Sequence, residues 1–502
     1  VSANSLKGIL IGVFGLLLGF YVMISVLTSG GNVVSNLYRY IPFVFAVLGF
    51  IAPTQSLYLM SICIVGIGYL KKTMILDGYF AFSNLYFVVG APAILLLGMC
   101  ASTFLRLIFA RRGSRRDWTI FVTGIAVTLA LMAIIYSKSG RVELAVMTGA
   151  YANILWVLPL NVRDEKSFTR LLNFTLVLML FTSLVGYYQG VFGLTQLDRT
   201  YIELGYADES EGGRTARRGQ EDFRPFATYG SPNAFGWSML FAVVIALNGL
   251  RTSRLKGGGM FSQGLWVVAL LVAMGAIFIS TKKAPMLGLV ILPFAAAMIR
   301  SRLMGMLALI AFSSVIFAMI RFPDEIRVWC RQVTEDYLFQ IHPSLTLNTI
   351  NARLESFEVL REKGIVVWFG KGDVSASSHT FITTLLQTIG YIPFFTLVML
   401  GVIMYWIGQR KVTSILGSWK SPRGKSIAYD LGFFVALLAG ALTGTNVHQS
   451  FPGSYLWFLA VAFALVRVMN EYDEKLSKIR AVEEVQREED VAIPLLREKA
   501  ML

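Results

Sequence analysis

Leu172–Val191 reads LNFTLVLMLFTSLVGYYQGV and carries no Asp, Glu, Lys or Arg. A helix needs roughly 20 apolar residues to cross the hydrocarbon core of a bilayer. Inside that core the backbone must satisfy its own hydrogen bonds, which leaves helices and closed barrels. The run is hydrophobic almost throughout and lacks the period-2 alternation of a barrel strand, so it reads as a helix. Ile9–Leu27, Tyr86–Leu105 and Leu303–Ile320 repeat the pattern. The whole 502-residue chain is 55% hydrophobic and 15% charged, with a mean hydropathy of +0.63. Soluble domains carry about 25% charged residues, and the deficit points to lipid as the solvent. The expected fold is an all-α, polytopic membrane helix bundle.

Hydropathy predicts about fourteen spans, near 8–27, 38–52, 55–70, 85–108, 118–136, 143–161, 169–193, 234–250, 264–280, 284–299, 303–320, 381–408, 427–444 and 454–469. Their alternation places the main basic clusters on one side: Arg111, Arg112, Arg115 and Arg116; Arg163 and Lys166; Arg251, Arg254 and Lys256; Arg300 and Arg302; and Arg410, Lys411, Lys420, Arg423 and Lys425. By the positive-inside rule that side is cytoplasmic, and both termini face it. Lys71, Lys72, Lys138 and Arg141 fall opposite, as minor exceptions. The first apolar run lacks a signal-peptide series and reads as a retained helix. The formal charge of +15 is then a topology signal and no sign of nucleic-acid binding. Cys63 and Cys100 lie in apolar spans and Cys330 stands alone in a loop, so none suggests a disulfide framework.

The bundle is expected over residues 1–469, with two large periplasmic loops, 194–233 and 321–380, containing short helices, and a charged cytoplasmic tail at 470–502. Long loops in compact proteins are usually functional or disordered. Apolar positions Leu354, Phe357 and Leu360 predict an amphipathic helix in the second loop, around Asn351–Lys363.

Four features could carry chemistry. All three histidines, His342, His379 and His448, fall on the loop side. His379 follows the Gly- and Ser-rich Gly370–Ser378 at a helix mouth, placed to accept a proton; His342 and His448 also read as ordinary loop or interface residues. Lys282 and Lys283 fill a tight turn between two spans. Snorkelling explains such lysines, and so does anion binding beside a helix N-terminus. The string Arg224-Pro225-Phe226-Ala227-Thr228-Tyr229-Gly230-Ser231-Pro232-Asn233-Ala234-Phe235-Gly236 ends the first loop with helix-start signals, and its Arg and glycines exceed what capping needs. Arg353 precedes Gly364 by eleven positions on the second loop, where a solvated ion-pairing role is the ordinary reading. Arg217, Arg218 and Asn233 are further polar candidates near the string.

Together these elements resemble the O-antigen ligase and polymerase superfamily, membrane glycosyltransferases that move glycans from a polyprenyl-pyrophosphate carrier. The likeness covers about residues 170–410 in motifs and the remainder through hydropathy. Its most specific pieces are Arg224–Gly236 and Gly370–Thr380, the latter running on into Leu385–Tyr391. The chain departs from the family at Lys282-Lys283, where a Ser-Arg pair is usual, at Thr380 in place of an Asn, and at Gln387 in place of a Glu. A Lys keeps the charge but loses the bidentate fork.

The resemblance implies a GT-C-like bundle in the bacterial inner membrane with a periplasmic, metal-independent site and no cofactor. Arg224, Lys283, Arg353 and Lys282 would clamp the donor pyrophosphate, and His379 would deprotonate the acceptor hydroxyl; His448, Arg217, Arg218 and Asn233 are secondary candidates. The implied partners are the polyprenyl-pyrophosphate-linked oligosaccharide, a glycan acceptor, membrane lipids, a flippase and a chain-length regulator, with no nucleic acid. Polymerisation of repeat units into O-antigen or exopolysaccharide is the favoured reading. Ligation of finished glycan to lipid A core is the alternative within the superfamily. A polytopic transporter or lipid flippase is the competitor from another class, against which the spans look nearly free of ionisable residues.

Overall fold

The computed structural model describes residues 33–76, 82–109, 114–139, 142–203, 217–218, 222–223, 225–280, 282–333, 390–442 and 452–501. The expected span 8–27 and the amphipathic segment 351–363 lie outside them. In chain order the helices are α1 (Val33–Ile51), α2 (Pro53–Leu76), α3 (Phe82–Phe109), α4 (Arg115–Ser139), α5 (Val142–Ala152), α6 (Ile154–Asn161), α7 (Glu165–Phe192), α8 (Gln196–Glu203), α9 (Pro232–Leu255), α10 (Met260–Ile279), α11 (Lys283–Arg300), α12 (Arg302–Arg321), α13 (Pro323–Val333), α14 (Tyr391–Leu416), α15 (Pro422–Leu442) and α16 (Gly453–Met501). Between α8 and α9, β1 (Arg217–Arg218) pairs antiparallel with β2 (Asp222–Phe223).

Among the described residues, seven segments are long and apolar enough to cross a membrane: Pro53–Thr73, Gly90–Phe109, Arg115–Ala133, Glu165–Phe192, Pro232–Leu255, Met260–Ile279 and Tyr455–Ile479. The protein is a helical membrane-embedded bundle. Its helix starts follow local chemistry. Asp164 caps α7 by accepting the Ser167 N–H at 2.7 Å. Ser231 caps α9 by accepting the Ala234 N–H at 3.2 Å, with Pro232 in the first turn, where its missing N–H costs nothing. Ser301 caps α12 through the Met304 N–H at 3.3 Å.

Helix α9 occupies the centre. Phe235, Trp237, Leu240, Phe241 and Val244 are almost entirely removed from the surface. Phe241 meets Phe433 of α15 and Phe463 of α16 at ring separations of 4.9 and 5.4 Å. An all-round apolar helix must be surrounded by others, and α7, α10, α11, α15 and α16 all pack on it.

At one end, hereafter the basic end, Arg423 pairs with Glu471 and Glu474 at 2.7 Å and lies 3.7 Å from Glu165. Arg116 pairs there with Asp473, and Arg163 with Asp117. Three of the expected basic clusters, at Arg116, Arg163 and Arg423, therefore share one end. The opposite, loop end carries the close of α7, the start of α9 and the turn between α10 and α11.

Several expectations are corrected. The span 143–161 is two helices, broken where Asn153 turns its side chain to accept Trp156 Nε1 at 2.8 Å. The charged tail from residue 470 continues the last span as a helix, α16 running to Met501 and held at its exit by Arg423. The spans are not nearly free of charge. Helix α2 runs on to Leu76, which takes Lys72 inside the protein. Helix α15 begins at Pro422, which puts Asp430 two turns inside and not at its end. In both places hydropathy set the boundary too close to the apolar centre.

Candidate functional site

The string after Arg224 is the best-built feature of the loop end. Pro225, Phe226, Ala227 and Tyr229 are buried although they form no helix. Buried irregular backbone must find partners for its N–H and C=O groups, and here one side chain provides two. Gln189, near the end of α7, accepts the Phe226 and Ala227 N–H groups on Oε1 at 3.0 and 2.7 Å. Its Nε2 donates to Asp198 Oδ2 at 2.8 Å.

Asp198, on α8, accepts on both oxygens. Lys72 Nζ donates to Oδ1 at 2.8 Å, while Thr195 Oγ1 donates to Oδ2 at 2.7 Å. Lys72 also donates to the Ala227 carbonyl at 2.7 Å and lies 4.0 Å from the Phe226 ring centroid. Lys72 is 0% and Asp198 3% exposed, so neither charge can rely on water. A buried pair holds only if its remaining hydrogen-bonding positions are filled, and in this clasp Gln189, Thr195 and the string backbone fill them.

Within the clasp, Ala227 has φ +51°, and it is the only non-glycine residue among those described with a left-handed backbone. That region costs a non-glycine residue roughly 1–2 kcal/mol, and such strain concentrates at functional sites. Just beyond, Thr228 donates to the Val65 carbonyl of α2 at 2.5 Å. Gly68 makes the approach possible: a Cβ there would lie 2.6 Å from Gly230 N and 2.7 Å from Thr228 O.

The string also meets the lysine turn. A Cβ on Gly236 would lie 2.6 Å from Pro285 Cγ and 3.1 Å from Ser280 Oγ. The first turn of α9 therefore abuts the residues flanking Lys282 and Lys283. Lys282 is half-buried and precedes α11, and Lys283 is the first residue of that helix. Asn233 is half-buried in the first turn of α9, and its Oδ1 is shielded from solvent without a partner among the described residues. Arg217 and Arg218 form β1, on the same loop as the string. Arg224, Arg353, His379, His342 and His448 lie outside the described residues.

The structure thus brings together two of the four sequence features, the string and the lysine turn. It adds Lys72, Asp198 and Gln189, which sequence reading passed over. Gln189 could have been noticed as a large amide near the end of the apolar run Leu172–Val191, with Asp198 nine residues later. Lys72 closes an apolar run and read as a minor exception to the placing of the basic clusters. The chain matches no family model, no curated protein and no solved structure.

Proposed function

We propose that this protein is a membrane glycosyltransferase that polymerises polyprenyl-pyrophosphate-linked oligosaccharide repeat units at the periplasmic face of a bacterial inner membrane, with a GT-C-like bundle of about fourteen spans. The single observation that carries the reading is the clasped, strained string. A loop that only joined two helices would need neither a left-handed alanine nor a buried ion pair to hold it. The residue directly before the clasped segment is Arg224, and the start of α9 rests against the Lys282–Lys283 turn.

In this reading the site works by placing charge. Pyrophosphate is a competent leaving group, so the transition state needs cations where negative charge grows and a base on the acceptor. Arg224, Lys283, Lys282 and Arg353 are the proposed cations, and His379 is the proposed base. Charge-assisted contacts of this kind contribute about 1.5–3 kcal/mol each. Asn233 Oδ1, an acceptor without a partner among the described residues, suits a sugar or acceptor hydroxyl. The bond broken joins the anomeric carbon to the pyrophosphate oxygen. The acceptor oxygen forms the new bond, and its proton passes to His379.

The experiment is to delete the gene and examine the surface glycan. Single repeat units in place of long chains support polymerisation. Full-length chains stranded on the carrier would redirect the reading to ligation, and an unaltered glycan would remove it. In a complemented strain, His379→Ala should abolish chain growth while the protein remains inserted. Lys283→Arg should be tolerated and Lys283→Ala should not; wild-type behaviour of both would assign the lysine to snorkelling.

A further inference from the structure

A second buried charge cluster sits toward the basic end, remote from the clasp. Asp430 of α15 is 1% and Arg467 of α16 is 8% exposed. Arg467 Nε donates to Asp430 Oδ2 at 2.7 Å, and Asn248 Nδ2 of α9 donates to Oδ1 at 3.0 Å. Both carboxylate oxygens are thereby engaged. Arg251, one turn beyond Asn248, stacks 4.1 Å over the Tyr429 ring and lies within electrostatic reach of Asp430. One carboxylate thus faces two guanidinium groups.

The surplus charge has open donors. Arg251 Nη1 and Arg300 Nε are both shielded from solvent and meet no acceptor among the described residues. The two arginines flank one stretch of α15. Arg300 ends α11, which packs along α15 where Gly432 faces Ala296, and Ile299 and Tyr429 belong to the same apolar cluster. Arg300 stands in the last turn of α11, where the dipole favours a cation, and Arg251 stands one turn before the end of α9; neither position supplies an acceptor for these N–H groups among the described residues. Buried donors of a charged group call for an anionic partner.

We propose that Arg251 and Arg300 hold a phosphate group at the basic end, presented by an anionic phospholipid headgroup or by free phosphate. Guanidinium forks match phosphate oxygens in geometry as well as charge. Basic pockets between helices near a membrane surface are suited to such headgroups. The site is independent of the transfer chemistry proposed at the loop end.

The test uses the full chain in nanodiscs of phosphatidylcholine, alone or with a minority of phosphatidylglycerol, and separately with inorganic phosphate added. Retained lipid is read by native mass spectrometry and stability by thermal unfolding. Phosphatidylglycerol should stay bound to the wild type and raise its unfolding temperature. Arg251→Gln with Arg300→Gln should weaken that binding roughly tenfold or more, whereas Arg254→Gln should leave it unchanged. Stabilisation by inorganic phosphate in phosphatidylcholine alone assigns the site to the free ion; stabilisation by phosphatidylglycerol only assigns it to lipid. Arg251→Lys guards against a misfolded variant, since it should melt as wild type in phosphatidylcholine yet bind the phosphate group less tightly. The proposal is overturned if neither phosphate source stabilises the wild type, or if the double variant responds as fully as the wild type.

Discussion

At the loop end Lys72 and Asp198 are enclosed by Gln189, Thr195 and the backbone of the string, so that the charges and the carboxylate oxygens all have partners. Toward the basic end Asp430 is equally engaged, by Arg467 and Asn248, but Arg251 and Arg300 keep donors that are unmet among the described residues. Both clusters remove charge from water, and the difference lies in closure. The closed cluster fixes a segment of backbone, including the strained Ala227. The open one has the features of a site that takes a ligand. Burial of charge alone therefore does not distinguish the two clusters; their unmet donors do.

The sharpest way to break this contrast is to unpair the closed cluster. Lys72→Met should strand Asp198 without water and cost about 3–5 kcal/mol, measured as loss of folded protein in denaturant titrations from mixed micelles. Adding Asp198→Leu should restore much of that stability, and a double variant no better than the single would contradict the pairing. Asp430→Asn should cost less, about 1.5–3 kcal/mol, because Arg467 keeps a polar neighbour of the same shape. A cost equal to that of Lys72→Met would erase the distinction between the clusters. Gly68→Ala tests the wall of the clasp. Its Cβ would press on the backbone of Thr228–Gly230, and overpacking of this kind costs about 1–3 kcal/mol. We expect slowed glycan transfer beside the lowered unfolding temperature.

The smallest effect belongs outside both clusters. Asp164→Ala removes the cap of α7, at a cost of about 0.5–2 kcal/mol. The Ser167 backbone N–H holds the Asp164 carboxyl below its usual range. The stabilisation is therefore present at neutral pH and fades as pH falls through that lowered value. A stability difference between wild type and Asp164→Ala that persisted in strong acid would contradict the assignment.

Much of the helical frame was legible because its determinants are local. Ser231 and Pro232 announce the start of α9, and apolar runs announced the seven membrane-length segments among the described residues. The clasp was not legible. Lys72 lies 126 residues from Asp198 and 155 from Ala227 in sequence, and no local pattern reports such pairings. Hydropathy also misled at Lys72 and Asp430, since it scores a charge against a span without knowing whether a partner waits inside. The string was recognisable as unusual from its Arg and glycines, but its strain at Ala227 depends on Gln189 and Lys72 together.

The central claim is that the clasp holds the loop exit for glycan transfer, and one rate tests it. Purified protein in lipid should be given polyprenyl-pyrophosphate-linked repeat units, with chain growth compared between wild type and the Lys72→Met/Asp198→Leu double variant. We predict growth by the wild type and a loss on the order of hundredfold in the folded double variant, since small misplacements of positioning groups cost about that much. Chain growth at the wild-type rate in the double variant, or none by the wild type, would contradict the account.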